Sequence, residues 1–391
     1  MQELLARRYL FYRFFTSLWF ISAVWLYFYR LFITDQQVGL LDGIVFAIAL
    51  LAEIPSSALA DKFGRSKIVR FGQILAGCGI IITVTGNGFS QFFIGQAIQY
   101  AGIAFASGAD EALFFQKLNY GRDSSNWKKL VTRGGQVALF GSIIALIVGG
   151  FLYQINPRAP WFLNGLAFIV AALIIWPVKD VVPEGTKQSF LKDTKDYIAN
   201  ITEGFKQFML PELNPYLLLI IIVQGLFYTF GWGLLKLILL SRFGFSPLLG
   251  AFAIASCSLI TVGLLGFMHK NAERFSERNI IMIISLTAIV SLLLAVANIG
   301  FLGYFVILML YSGEYLLHPF ISTIINNRAS EKQRATVLSV SSFLRMLPYV
   351  VLAPIIGYLN THHHLDYFLI GWAILAILAI LFYLLRRRVV L

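Results

Sequence analysis

The 391-residue chain is 58% hydrophobic and only 13% charged, with a mean hydropathy of +0.77, which is too apolar to be packed around one soluble core. Its net charge of +12 arises from 31 Lys and Arg against 19 Asp and Glu. These basic residues cluster in short segments between apolar runs, so membrane topology and anionic lipid headgroups account for them and no nucleic-acid partner is needed.

Runs of about 18 or more nearly uncharged residues are long enough to cross a hydrocarbon layer as helices. Twelve such spans are predicted, at 10–31, 38–59, 68–88, 91–115, 133–153, 160–178, 214–240, 246–268, 280–298, 300–325, 335–359 and 367–385. Neither the run length nor the pattern suits a membrane β-barrel, whose strands are about ten residues long and alternate strictly. The first run has no cleavage site of small residues behind it, which makes it a retained span. With both termini cytoplasmic, 26 of the 31 basic residues fall on the inside. Arg30, Arg158, Lys236 and Arg242 then lie at or near outer ends, and Arg345 stands inside the layer.

Between the second and third spans, "ALADKFGRSKIVRFG" (58–72) places one acidic and four basic residues. Cys78 and Cys257 sit inside spans, where small apolar packing suits them better than a disulfide or a metal site. Glu53, Asp110 and Glu111 fall about 10–12 Å from the inner surface at 1.5 Å per residue, too shallow to force a midplane role, and proton or substrate coupling stands as the alternative to structural gating for them. Residues 179–212 form the one long polar stretch, in which Phe190, Tyr197, Ile198, Ile201, Phe205 and Phe208 recur at three- and four-residue spacing. That spacing predicts an amphipathic helix lying on the inner membrane surface and joining two six-span halves.

In the second half, Glu314 lies about 18 Å from the inner end and Arg345 about 16 Å, at one level on consecutive spans. Buried charges are costly and mark function by default, so the pair reads as a proton- or substrate-responsive site, or else as an ion pair that fixes two helices. His318, one turn from Glu314, reads as a helix-packing histidine, and His362 to His364 as a solvated outer turn rather than a metal site. Among the aromatics, Trp25, Tyr27, Tyr29 and Trp161 suit interfacial belts, while Tyr12, Phe114, Phe227, Tyr228, Phe230, Trp232 and Tyr311 fall where they could line a central cavity.

The halves echo each other. "AERFSER" at 272–278 matches "ADKFGRS" at 60–66, and "SGEYLLHPFISTIIN" at 312–326 matches "SGADEALFFQKLN" at 107–119, in the same order and at nearly constant offset. A weaker echo pairs "GSIIALIVGG" at 141–150 with "APIIGYL" at 353–359. This is the pattern of an internal duplication.

The stretch from Ser57 to Lys67 resembles the signature G-x-L-A-D-[RK]-x-G-[RK]-[RK] of the major facilitator superfamily, with Ser57 and Ser66 as its two departures. The resemblance covers the whole chain. It implies an all-α integral membrane fold of 12 transmembrane helices, in two six-helix bundles related by pseudo-two-fold symmetry: residues 1–178, a cytoplasmic linker 179–212 with an amphipathic helix, and residues 213–391. "EIPSS", "SGADEAL" and "RATVLS" resemble a bacterial branch rich in drug and metabolite exporters, whereas the antiporter signature of the fifth span keeps Gly141, Gly149 and Gly150 but has Ala145-Leu146 for its Gly-Pro pair.

The resemblance also implies that Asp61 forms a latch with the start of the eleventh span, where Arg334 is a further partner, and that Glu53, Asp110 and Glu111 belong to an inner gate. Physically, a carboxylate suits a helix N-terminus, Gly64 permits the turn, and Arg65 and Lys67 anchor at headgroups. The expected activity is secondary transport of a small amphiphilic or aromatic molecule, exported in exchange for protons, by a monomer in the inner membrane that uses no cofactor. Proton-coupled uptake of a metabolite or siderophore, and lipid translocation, remain as alternatives. No H-E-x-x-H, G-x-S-x-G or phosphate-binding loop points to an enzyme or to ATP.

Overall fold

A computed structural model describes residues 2–118, 124–179, 202–271, 276–331 and 333–390, with the side chains of 53–58, 61, 62 and 335 among those not described. Every regular element among the described residues is helical. The chain forms two compact units, one of residues 1–33 and 44–196 and the other of residues 34–43 and 197–391.

The first unit contains α1 (Gln2–Thr16), α2 (Trp25–Tyr29), most of α3 (Asp35–Phe63), α4 (Arg65–Thr85), α5 (Phe89–Ala106), α6 (Ala109–Leu118), α7 (Ser124–Ile155) and α8 (Ala159–Ile175). In the second unit, α9 (Asn214–Leu218) runs through a π-helical segment, Leu219–Gln224, into α10 (Gly225–Gly231). Then follow α11 (Leu235–Arg242), α12 (Pro247–Lys270), α13 (Glu277–Val296), α14 (Gly303–Arg328), α15 (Arg334–Thr361) and α16 (Leu365–Val390). Nine helical runs among the described residues are long and apolar enough to cross a membrane.

Four of the predicted spans differ from straight, membrane-long helices. The first is a helix only to Thr16 and resumes at Trp25. Its freed backbone groups find partners in neighbouring helices, as membrane burial requires: Ser142 Oγ donates to the Ser17 carbonyl at 3.3 Å, and Asn164 Oδ1 accepts from Ile21 N at 3.5 Å. The glycines of the fifth span make room for this break. A methyl group at Gly149 would run into the Phe20 carbonyl, and one at Gly141 into Ser17. The fourth span breaks at Ser107-Gly108, where Gly108 adopts φ +72°, a left-handed conformation that glycine enters without strain. The sixth is α8, 17 residues long. The seventh breaks between Gly231 and Leu235.

Helices α4 and α5 meet along glycines. Gly72 and Gly79 face Gly102 and Gly95, and a Cβ at any of the four would strike the backbone of the other helix, so the two backbones pack at the close distance small residues allow. At the start of α4, Ser66 is fully buried and its hydroxyl donates to the Val178 carbonyl. This explains why a basic residue of the resembled signature is missing there. Ser66→Arg should therefore lower the thermal midpoint of the purified protein, since overpacking a filled site alone costs about 1–3 kcal/mol. A midpoint equal to that of the parent protein would contradict this account.

Most of the linker, residues 180–201, and the first four residues of the second copy of the loop motif, 272–275, lie outside the described residues. Residues 202–207 are helical. Two members of the predicted apolar stripe turn to protein: Phe205 packs edge-on to Phe343 of α15, with ring centroids 6.4 Å apart, and Phe208 is fully buried.

Candidate coupling site

Helix α14 carries Glu314 and α15 carries Arg345, and the two side chains meet. Arg345 Nη1 lies 2.7 Å from Glu314 Oε1, and the side chains are only 13% and 8% exposed. An ion pair so short and so shielded holds two charges that water hardly screens. The Arg345 guanidinium also lies 5.1 Å from the ring centroid of Tyr228 on α10, close enough for a cation–π contact. The Tyr228 ring packs edge-on to Tyr349, with centroids 6.3 Å apart. Gly231, the last residue of α10, faces Glu314: a side chain there would come into van der Waals contact with its Cγ.

The break in the seventh span is tied into this group. The Leu234 amide donates to Tyr349 Oη at 3.1 Å, and Tyr349 Oη donates to the carboxylate of Asp42 on α3. Lys236 is buried and its ammonium donates to the Gly231 carbonyl at 2.8 Å, where the C-terminal end of α10 favours a cation. Sequence reasoning put Lys236 near an outer end and passed over Asp42 altogether. The signal available for both was a charge within an apolar run.

The predicted cavity aromatics have different surroundings. Phe227 is fully buried, with its ring against Gly313, so it serves helix packing. Tyr228 is buried under Arg345. Tyr311 Oη pairs with Ser258 Oγ at 2.8 Å and with Tyr315 Oη at 3.4 Å, while Trp232 is exposed at the helix break. His318 is half-buried one turn beyond Glu314.

In the first unit Tyr12 is fully buried and held at both ends of its hydroxyl. It donates to Asp110 Oδ2 at 3.1 Å and accepts from Gln73 Nε2 at 2.8 Å. Asp110 and Glu111 occupy the first turn of α6, just after the break, where the helix dipole favours carboxylates. Glu111 is exposed and Arg13 approaches it at 3.9 Å. Gln73 is a partner the sequence did not suggest, because an amide in a transmembrane run carries no motif.

Of the loop residues, Gly64 has φ +98° and separates α3 from α4, Arg65 opens α4, and Lys67 is exposed. Arg334 is the first residue of α15. Asp61 and Glu53 lie on α3, but their side chains are outside the described part, as is Lys62.

The profile of the Major Facilitator Superfamily matches residues 9–351. The chain belongs to this superfamily. It is a multi-pass membrane protein and a secondary transporter, and its family and relatives are transporters rather than enzymes. It is 25% identical over 334 residues to the quinolone resistance protein NorA of Staphylococcus aureus (strain MSSA476), covering 80% of this chain and 79% of that protein. Over 170 residues, 43% of this chain and 28% of the relative, it is 26% identical to the vesicular acetylcholine transporter of Drosophila melanogaster.

Among solved structures, the nucleoside transporter NupG superposes with a TM-score of 0.76 at 11% identity, covering 98% of each chain. A D-xylose-proton symporter does so with a TM-score of 0.69 at 14% identity, covering 98% of this chain and 96% of that one. Both share the fold.

Proposed function

We propose that the protein exports a small amphiphilic or aromatic molecule from the cytoplasm by alternating access, driven by the proton gradient. The halves 1–178 and 213–391 are the moving bundles, joined by the linker 179–212, in a monomer of the bacterial inner membrane with both termini cytoplasmic. The observation that carries this reading is the Glu314–Arg345 pair: a carboxylate shielded from water, whose partner is shared with an aromatic ring. Protonation of Glu314 frees the guanidinium, and an aromatic substrate can compete for the surface that Tyr228 presents. The similarity to NorA supports efflux and suggests a quinolone as the first probe.

Everted membrane vesicles acidified inside should accumulate a fluorescent quinolone and release it when a protonophore collapses the gradient. Gradient-independent movement would remove proton coupling. One feature favours uptake instead, namely Ala145-Leu146 in place of the Gly-Pro of the antiporter signature. Increased cellular uptake of a nutrient on overexpression would make symport the better account.

The loop 58–72 acts as a latch in this scheme, with Asp61 accepting from a helix N-terminus, Gly64 giving the turn, Arg65 and Lys67 at the headgroups, and Arg334 opening the partner helix. Glu53, Asp110 and Glu111 are gating contacts. Asp61→Asn keeps the shape but removes a charge worth about 0.3–2 kcal/mol at a helix N-terminus. Since each 1.4 kcal/mol shifts a two-state equilibrium about tenfold, the variant should populate inward-open states several-fold more and turn over more slowly. Cysteine accessibility at the two mouths measures this, and an unaltered ratio with normal transport would reduce the loop to a positive-inside anchor.

A further inference from the structure

Asp42 lies seven residues into α3, about 10 Å along the helix from its start at Asp35. It is only 8% exposed. It sits in a tight seam. Gly39 and Gly43 on either side of it leave no space for a Cβ, the first against the backbone of Ala353 and Gly357 and the second against Val350 and Pro354, all on α15. A carboxylate there is cut off from water, and burying one without a compensating charge is among the most costly arrangements in a membrane.

No ion pair among the described residues includes Asp42, and its one hydrogen-bond partner among them is the hydroxyl of Tyr349. The charged and titratable groups on the elements around it are engaged elsewhere. Arg345, one turn before Tyr349 on α15, is bound to Glu314 of α14. Lys236 of α11 is bound to the Gly231 carbonyl. Asp35, at the start of α3, accepts from Asn360 of α15. Tyr228 of α10 presents its ring to Tyr349.

We propose that Asp42 is a second proton-binding group of the transport cycle, separate from Glu314, and that Tyr349 passes its protonation state to the break in the seventh span. A carboxylic acid is the form this seam accommodates at least cost, and the proton is the cation small enough to enter it. Tyr349 is suited to the relay because a hydroxyl both donates and accepts. It donates to Asp42 on one side and accepts from the Leu234 amide on the other, the residue just before α11 begins. When Asp42 is protonated it can donate to Tyr349 Oη, which then accepts from both Asp42 and the Leu234 amide, and this sharing of one acceptor loosens the hold on Leu234. The sequence of events is proton transfer only: one O–H bond forms on Asp42 as the proton leaves solvent, and it breaks on release.

This inference rests on the reading of the protein as a proton-driven transporter, and a spectroscopic test separates the two. The reconstituted protein, followed by infrared difference spectroscopy across a pH titration, should show a protonated-carboxyl band that disappears on alkalinisation. Asp42→Asn should remove that band, whereas Glu314→Gln should keep it. Tyr349→Phe should keep the band but shift its frequency and its titration midpoint. In transport, Asp42→Asn should flatten the dependence of rate on pH over the range in which the band titrates.

Superimposable spectra for the parent protein and Asp42→Asn would overturn the proposal, as would an unchanged pH profile of transport. If Asp42→Asn does not fold, Asp42→Glu replaces it. That variant must move the band, and a stationary band refutes the assignment. Because the spectra need no substrate and no gradient, they stand whether or not Glu314 couples transport to protons.

Discussion

Glu314→Gln is expected to abolish accumulation against a gradient while leaving downhill exchange intact. Glutamine keeps the size of the side chain and can accept a hydrogen bond from Arg345, but it cannot take up and release a proton. An uncoupled carrier still alternates between its states, because substrate binding alone biases that equilibrium, so counterflow of labelled substrate continues. The accumulation ratio should then fall to about one, the value of passive equilibration for an uncharged substrate. Everted vesicles with an imposed pH gradient measure the ratio, and the same vesicles without the gradient measure exchange. Uphill transport at the parental level would assign the coupling proton to another group and leave the 2.7 Å contact with Arg345 a helix clamp.

How much of this site the sequence discloses depends on the kind of signal each residue gives. Spans of uniform hydropathy are legible, since a membrane demands about 20 apolar residues wherever a helix crosses it. Glu314 and Arg345 are legible for the complementary reason: a charge deep in such a run has few explanations. The breaks are not. Thr16 to Trp25 contains no glycine or proline, and its helix ends because Gly141 and Gly149 of another helix admit the unwound backbone and Ser142 and Asn164 satisfy it. That information is tertiary.

Asp42 is missed because counting from the inner end places it near the outer boundary, where an acid is ordinary. Only the seam formed by Gly39 and Gly43 against α15 makes it a buried group. Lys236 escapes notice in the same way, since the unwinding after Gly231 that supplies its carbonyl partner has no local signature beyond a glycine pair. Tyr12 shows the converse error: an aromatic in a first span suggests a cavity wall, but Gln73 and Asp110 hold its hydroxyl inside the first unit.

Removal of the other half of the pair should have the larger effect on stability. Arg345→Met keeps an unbranched side chain of similar bulk but leaves the Glu314 carboxylate buried without its cation. Breaking a buried pair from one side costs about 3–5 kcal/mol, most of it the penalty of the stranded charge. The sign of the pH dependence follows. Acidification supplies the proton that neutralises Glu314, so the deficit of the variant should shrink as pH falls and grow as pH rises.

The double variant Arg345→Met with Glu314→Gln removes both charges and should recover most of the lost stability, since pairs of neutral groups in such sites are often as stable as the ions they replace. The two changes should therefore be strongly non-additive, as expected for side chains in contact. Thermal unfolding of the four proteins in one detergent, at several pH values, gives the coupling directly. Additive effects with no pH dependence would mean that Glu314 and Arg345 are each stabilised by other groups, and that the contact between them carries neither the fold nor the proton.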